Sequence, residues 1–382
     1  MAVASALLAP PSGAARAKAA ALRIVLLADT KGEAPRALPY FDDGAKLAAR
    51  ELGVDKVVYI RIPTAQPPAP AGTALRQALA RHPDAIIGLS AASQVLPLVS
   101  AIERAGVPFF ALTSGNELLL GGGAGARNLY SVRPLGSDTA AAVAEYVTKT
   151  LKARRIGLVC VDDANGSDSC DAVRGPLADA GATVVALRTS SATATDLADV
   201  AVAMQDVDAV LDFNVEAPVG VLANELVANG VSVPHVATAG AGIEADAKAL
   251  TRAALANLRG VEDCAPRVDK GSQAKAFAKA YQTTYGYQAQ YTAAETYDLV
   301  HLLYEAAQRA GSAEPVRLMA TVDQMTYKGV CGTYHPDSGN VMLHTASFVR
   351  WDASGVEQQV KVFTFAPAGP ARATVPSTTT SP

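Results

Sequence analysis

From Leu22 onward, short runs of β-branched and other apolar residues alternate with longer segments whose apolar positions recur every three or four residues. Runs of the first kind suit strands buried on both faces, and segments of the second kind suit helices with one face on a core. The pattern predicts strand LRIVLLAD, helix ALPYFDDGAKLAAREL, strand KVVYIRI, helix GTALRQALARH, strand DAIIGL, helix QVLPLVSAIERAG and strand PFFALTS in unbroken succession. A glycine-rich loop, GGGAGARN, leads into NLYSVRPLGSD, which reads as extended and then caps a helix from about Thr139 to Lys152.

A second series repeats the order: strand RIGLVCVD, helix SDSCDAVRGPLADAG, strand TVVALRT, helix DLADVAVAMQ, strand DAVLDFN, helix APVGVLANELVANG, strand PHVATAG. Strand-helix alternation implies parallel sheets, and its repetition implies an α/β protein of two similar doubly wound, Rossmann-like lobes. A long helix, TAAETYDLVHLLYEAAQRAG, carries Tyr297, Val300, Leu303, Tyr304 and Ala307 along one face. After it, TYKGVCGTYHPDSGNVMLHTASFVRWDASG alternates in the manner of a hairpin around its Asp-Ser-Gly and Asp-Ala-Ser-Gly turns.

Composition narrows the function classes. The 382 residues suit two domains, and no run reaches the roughly 18 apolar residues of a membrane helix, so the mature chain is not expected to insert. A net charge of -3 with scattered basic residues offers no field for nucleic acid. The first twenty residues, MAVASALLAPPSGAARAKAA, read either as the remnant of a secretory signal, with a small-x-small triplet at Ala15-Arg16-Ala17, or as a disordered tail. The Pro/Thr/Ser-rich end, ARATVPSTTTSP, reads as disordered. Cys160, Cys170, Cys264 and Cys331 lack CxxC spacing, which leaves three disulfide pairings or buried thiols open.

Candidate chemistry concentrates at the ends of predicted strands. In IIGLSAASQ, residues 86–94, Ser90 follows Gly88 but lacks the second glycine of a nucleophile elbow, and no histidine is placed to serve it. No HExxH-like or His-x-His grouping suggests a metal, and no cofactor or enzymatic activity is expected. Ser90 and Ser93 after the third strand, with Thr113 and Ser114 after the fourth, bring hydroxyls and unpaired N–H groups to one sheet edge, which suits a carboxylate.

The order of segments resembles the type I periplasmic binding proteins, in particular the branched-chain amino acid binding branch serving ABC importers. The likeness runs from about Leu22 to Phe365 and is carried by Asp43-Gly44-Ala45-Lys46-Leu47-Ala48, IIGLSAASQ, AGVPFFALTSGNELL, NLYSVRPLGSD, VCVDDANGSD, ATATD, ELVANGVSVPHVATAG, AETYDLVHLLYEAAQRAG and YKGVCGTYHPDSGN. It implies two lobes joined by a three-strand hinge, residues 22–133 with 267–329 and residues 134–266 with 330–365, between tails at 1–21 and 366–382. It implies an exported, periplasmic monomer that captures a small molecule between its lobes and delivers it to ABC transporter permease subunits. A ligand-sensing regulator or receptor of the same fold is the alternative.

Matching Gly88 and Gly106 to the family's glycines puts Ala92 at the family's serine position, with Ser93 beside it and Thr113 and Ser114 in the second loop. In the second lobe, Asn165 replaces an aromatic residue, and ATAGAG, residues 237–242, lacks the acid that holds an α-ammonium. That loss disfavours amino acids and favours other carboxylates, unless Asp212 or Glu216 substitutes. Tyr40 and Tyr291 are expected pocket walls. By the same resemblance Cys264 and Cys331 lie near the second and third crossings and could clip the hinge, leaving Cys160 and Cys170 as a local pair.

Overall fold

The computed structural model describes residues 21–30, 36–64, 69–115, 126–162, 164–246 and 248–367. Nearly all of the predicted tails, and most of GGGAGARN, lie outside these residues.

Five parallel strands form the first sheet: β1 (Leu22–Asp29), β2 (Val57–Thr64), β3 (Ala85–Gly88), β4 (Phe109–Gly115) and β5 (Leu129–Leu135), in the order β2-β1-β3-β4-β5. β1 is central and covered on both sides. Leu22, Ile24 and Leu26 pack into one core cluster, while Val25 and Leu27 pack into another on the opposite face. This two-sided burial is why the strand reads as a near-continuous apolar run, with Arg23 exposed near its start.

The second sheet holds β6 (Arg155–Val161), β7 (Thr183–Ser190), β8 (Ala209–Asp212), β9 (His235–Ala237), β10 (Leu258–Glu262), β13 (Thr345–Trp351) and β14 (Glu357–Thr364), ordered β14-β13-β10-β9-β8-β6-β7. β13 and β14 join it antiparallel. The late hairpin thus divides: a small pair, β11 (Tyr327–Gly329) with β12 (Gly332–Tyr334), stands apart from β13 and β14.

Several helices differ from their predicted extents; the one expected over 196–205, for example, is only Ala198–Val202. The segment expected as one helix over 94–106 is split into Ala92–Val95, a 3₁₀ turn Leu96–Leu98, and Val99–Ala105. Pro97, which has no N–H to continue the ladder, sits in that turn. The helix expected over 72–82 runs Ala69–Leu79. Between residues 241 and 290 the chain forms elements its pattern did not suggest: helices Ala241–Asp246, Arg252–Asn257 and Ser272–Tyr285, besides β10.

The long helix, Tyr291–Ala310, returns to the first lobe and lies against the first helix, Leu38–Leu52, in one core. The chain therefore crosses between lobes three times, and the crossings are bonded to one another. Ser131 of β5 donates its N–H to the Asn340 carbonyl at 2.9 Å and accepts the Met342 N–H at 2.9 Å. Thr345 Oγ1 donates to the Asp263 carbonyl at 3.3 Å. Arg133, on β5, meets Asp263 at 3.2 Å and Glu295 of the long helix at 3.0 Å. Disulfides join Cys160 to Cys170 and Cys264 to Cys331.

Candidate functional site

In open parallel sheets, loops and helix N-termini gather at the carboxyl ends of the strands, where backbone N–H groups remain to be paired. In this protein those edges of the two lobes meet. Arg36 and Ala37 lie between β1 and the first helix, Glu216 follows β8, and Glu244 stands in the first turn of helix Ala241–Asp246, after β9. Glu216 accepts the Arg36 N–H at 3.1 Å and the Ala37 N–H at 2.6 Å, and the Arg36 guanidinium donates to Glu244 Oε1 at 2.6 Å. Gln290, at the foot of the long helix, donates to Asp246 at 2.8 Å. These groups make direct contacts between the two edges.

The hydroxyls of the first lobe take different positions. The turn after β3 is tight: Gly88 has φ 139° and Leu89 φ 61°, and a Cβ on Gly88 would stand 2.4 Å from the Leu27 carbonyl oxygen. Ser90 donates its hydroxyl to Asp29 at 2.8 Å and its N–H to the same oxygen at 3.3 Å, while Gln94 donates to the other carboxylate oxygen at 2.8 Å. Ser90 is thus a clasp between the ends of β1 and β3. The histidines lie elsewhere: His235 bonds Asp212, His301 is in the long helix beside Glu51, and His335 and His344 bond backbone carbonyls. Ala92 and Ser93 open the short helix after β3, with Ser93 exposed. Thr113 is buried, and Ser114, opposite Arg133 in the β4–β5 pairing, is exposed.

The second-lobe candidates separate into core and edge. Asp212 is fully buried, bonding His235 Nε2 at 2.8 Å and accepting the Asn214 N–H at 2.9 Å. Its charge is engaged inside the lobe. Glu216 does reach the first lobe, from a backbone with φ 52° and ψ −121°, a region L-residues seldom occupy. The Asn165 side chain lies outside the described residues. Tyr291 lies near the Arg133 guanidinium, 5.3 Å from its ring centroid, and Tyr40 stacks on Tyr281 and meets Tyr287 edge-on. Burial, then Asp246, pushes the Tyr40 hydroxyl above its ordinary range.

Three groups at this edge escaped the reading of the chain. Asp29 ends an apolar strand and gave no pattern of its own. Arg36 precedes the first helix in a polar stretch. Glu244 stands just two residues beyond ATAGAG, so a window ending at Gly242 missed an acid on the next half-turn. The lobe is not without a carboxylate there. Burial raises the pKa of both Glu216 and Glu244, against the lowering effect of their bonds to the Arg36–Ala37 segment.

The profile described as periplasmic binding protein matches residues 21–356. The chain belongs to the periplasmic binding protein family. Solved structures of low identity share its type I fold. The branched-chain amino acid transporter substrate binding protein LivJ from Streptococcus pneumoniae, in complex with isoleucine, is 21% identical over 89% of this chain and 99% of its own, with a TM-score of 0.78. A leucine binding protein from Thermotoga maritima is 20% identical over 90% and 99%, with a TM-score of 0.77. A solute binding protein of an ABC transporter from R. palustris, in complex with benzoate, is 14% identical over 93% and 100%, with a TM-score of 0.81. Among curated proteins none matches this binding protein. Among its described residues no helix is long and apolar enough to cross a membrane, and no cluster of His, Cys, Asp or Glu is arranged to hold a metal.

Proposed function

We propose that this binding protein works outside the cytoplasm, capturing a small organic carboxylate between its lobes and delivering it to the permease of an ABC importer without covalent chemistry. The observation that carries the reading is the meeting of the two carboxyl-end edges at Glu216, Arg36 and Glu244, the arrangement of a two-lobed clamp. Family membership and fold supply the transport context. The solved relatives include one in complex with benzoate and one in complex with 4-hydroxybenzoate beside those that carry isoleucine or leucine. Ser93, Thr113 and Ser114, with their N–H groups, form the wall for a ligand carboxylate, charge-assisted bonds of this kind contributing roughly 1.5–3 kcal/mol each. Tyr40 and Tyr291 flank it.

Ligand that binds only the folded state raises its stability, by about 2.7 kcal/mol at a hundred times Kd. A thermal-shift series of benzoates, short aliphatic acids, leucine and isoleucine should therefore show its largest rise with an acid lacking an amine. Thr113→Ala with Ser114→Ala should then weaken that ligand about tenfold or more while the unliganded transition stays in place. Shifts confined to leucine and isoleucine, or a double variant with unchanged affinity, would overturn the assignment.

A further inference from the structure

Glu244, in the first turn of the helix after β9, is a second-lobe carboxylate that reaches the first lobe, and the structure shows how it is held. A Cβ on Gly220 would fall 2.5 Å from Glu244 Oε2, so the glycine makes room for the carboxylate. Gly240, at φ 72°, lies so close that its Cβ would be 2.5 Å from the Glu216 nitrogen. The two loops are therefore packed together, and both acids reach the same first-lobe segment. Glu216 takes the backbone N–H groups of Arg36 and Ala37, which fixes the base of the Arg36 side chain, and the guanidinium reaches Glu244. Glu244 is 2% exposed whereas the Arg36 side chain is 48% exposed, so the arginine is the outer member of the pair.

A guanidinium already bonded to the buried Glu244 carboxylate fills the place that an ammonium pairing with that carboxylate would take. Displacing it would expose a second cation to the newcomer and leave Arg36 to find another partner. We propose that Arg36 is the specificity-determining residue of the cleft, a built-in counter-ion that excludes ligands carrying an α-ammonium and leaves deaminated carboxylates as the accepted class. This deepens the solute-carboxylate reading above and rests on it.

The test uses matched ligands that differ only in the amine: leucine against 4-methylpentanoate, and phenylalanine against 3-phenylpropanoate. Titration calorimetry on the full chain would compare wild type, Arg36→Gln, Glu244→Gln and the double variant, each first checked for folding by circular dichroism. The wild type should bind one deaminated acid at least tenfold more tightly than its amino acid. Arg36→Gln should shift that ratio at least tenfold toward the amino acid, and adding Glu244→Gln should reverse the shift, because the freed carboxylate is then gone. A ratio unmoved by Arg36→Gln, or a wild type that prefers the amino acids, would overturn the assignment of Arg36 while leaving a solute-binding protein. Absence of binding by every acid and amino acid to every folded variant would overturn both.

Discussion

Asp298 shows how one buried carboxylate can fasten the hinge side of the first lobe. It is fully buried, and its oxygens accept the Val330 N–H at 2.8 Å, the Cys331 N–H at 2.8 Å and the Tyr334 hydroxyl at 3.0 Å. Burial nevertheless dominates, raising its pKa to about 7, with those bonds pulling the other way. An unfolded aspartate titrates near pH ~3.9, so between about pH 4 and pH 7 the folded state binds more protons than the unfolded one. Stability from this group is therefore full below about pH 4 and is lost as pH rises toward 7, at about 1.4 kcal/mol per unit of pKa difference. Burial shifts Glu262, Glu295 and Glu357 in the same direction. Urea unfolding should find the protein more stable at pH 5 than at pH 8. Asp298→Asn should flatten that slope and cost at least about 2 kcal/mol at pH 5, because its amide nitrogen would face an N–H that cannot accept. An Asn variant with the wild-type slope would mean that another group carries the pH dependence.

At the scale of elements, the crossing of the first and long helices is set by one glycine. A Cβ on Gly44 would stand 2.0 Å from the Ala293 carbonyl oxygen and 2.5 Å from Thr296 Oγ1. The first of these is backbone, so the helices would have to separate. Gly44→Ala gains about 1 kcal/mol of helix propensity, and overpacking of this kind removes roughly 1–3 kcal/mol or more. Chemical denaturation should show a net loss for Gly44→Ala, whereas Gly72→Ala, whose nearest neighbour would be Leu98 at 3.6 Å, should gain up to about 1 kcal/mol. Equal responses would reject close packing as the reason for Gly44. The same scale explains what the chain revealed of itself. β1, β3, β6 and β8 were legible because strands covered on both faces are near-continuous apolar runs. The helices Ala241–Asp246 and Arg252–Asn257 were not, since six residues scarcely cover two turns and establish no period. The edge groups were legible only in part. The hydroxyls after β3 and β4 follow from strand ends, but the Asp29–Ser90 bond spans 61 positions and the Arg36–Glu244 pair 208, and no local pattern encodes such distances.

For the whole molecule, two lobes that close on a ligand need a hinge stiff enough to keep register yet free to bend. The crossings are tied by Arg133 between Asp263 and Glu295, by Thr345 to Asp263, and by the Cys264–Cys331 disulfide. Both of those cysteines are buried in the first lobe's main core, whereas Cys160 and Cys170 are buried in the second lobe's. The two disulfides therefore restrain different parts of the unfolded chain. Cys264–Cys331 spans 67 positions and Cys160–Cys170 spans 10. Loop-closure entropy gives about 4 kcal/mol for the longer loop and about 3 kcal/mol for the shorter. Replacing Cys264 and Cys331 by serine should lower stability by about 1–2 kcal/mol more than replacing Cys160 and Cys170. Calorimetry of the two paired variants decides it. If the lobes unfold as one cooperative unit, both variants shift a single transition and the longer loop shifts it further. If they unfold separately, the Cys264→Ser, Cys331→Ser variant lowers the first-lobe transition alone, and the other variant lowers only that of the second. A larger loss from the short loop would show that native packing around Cys160 and Cys170, not restraint of the unfolded chain, is what that disulfide secures.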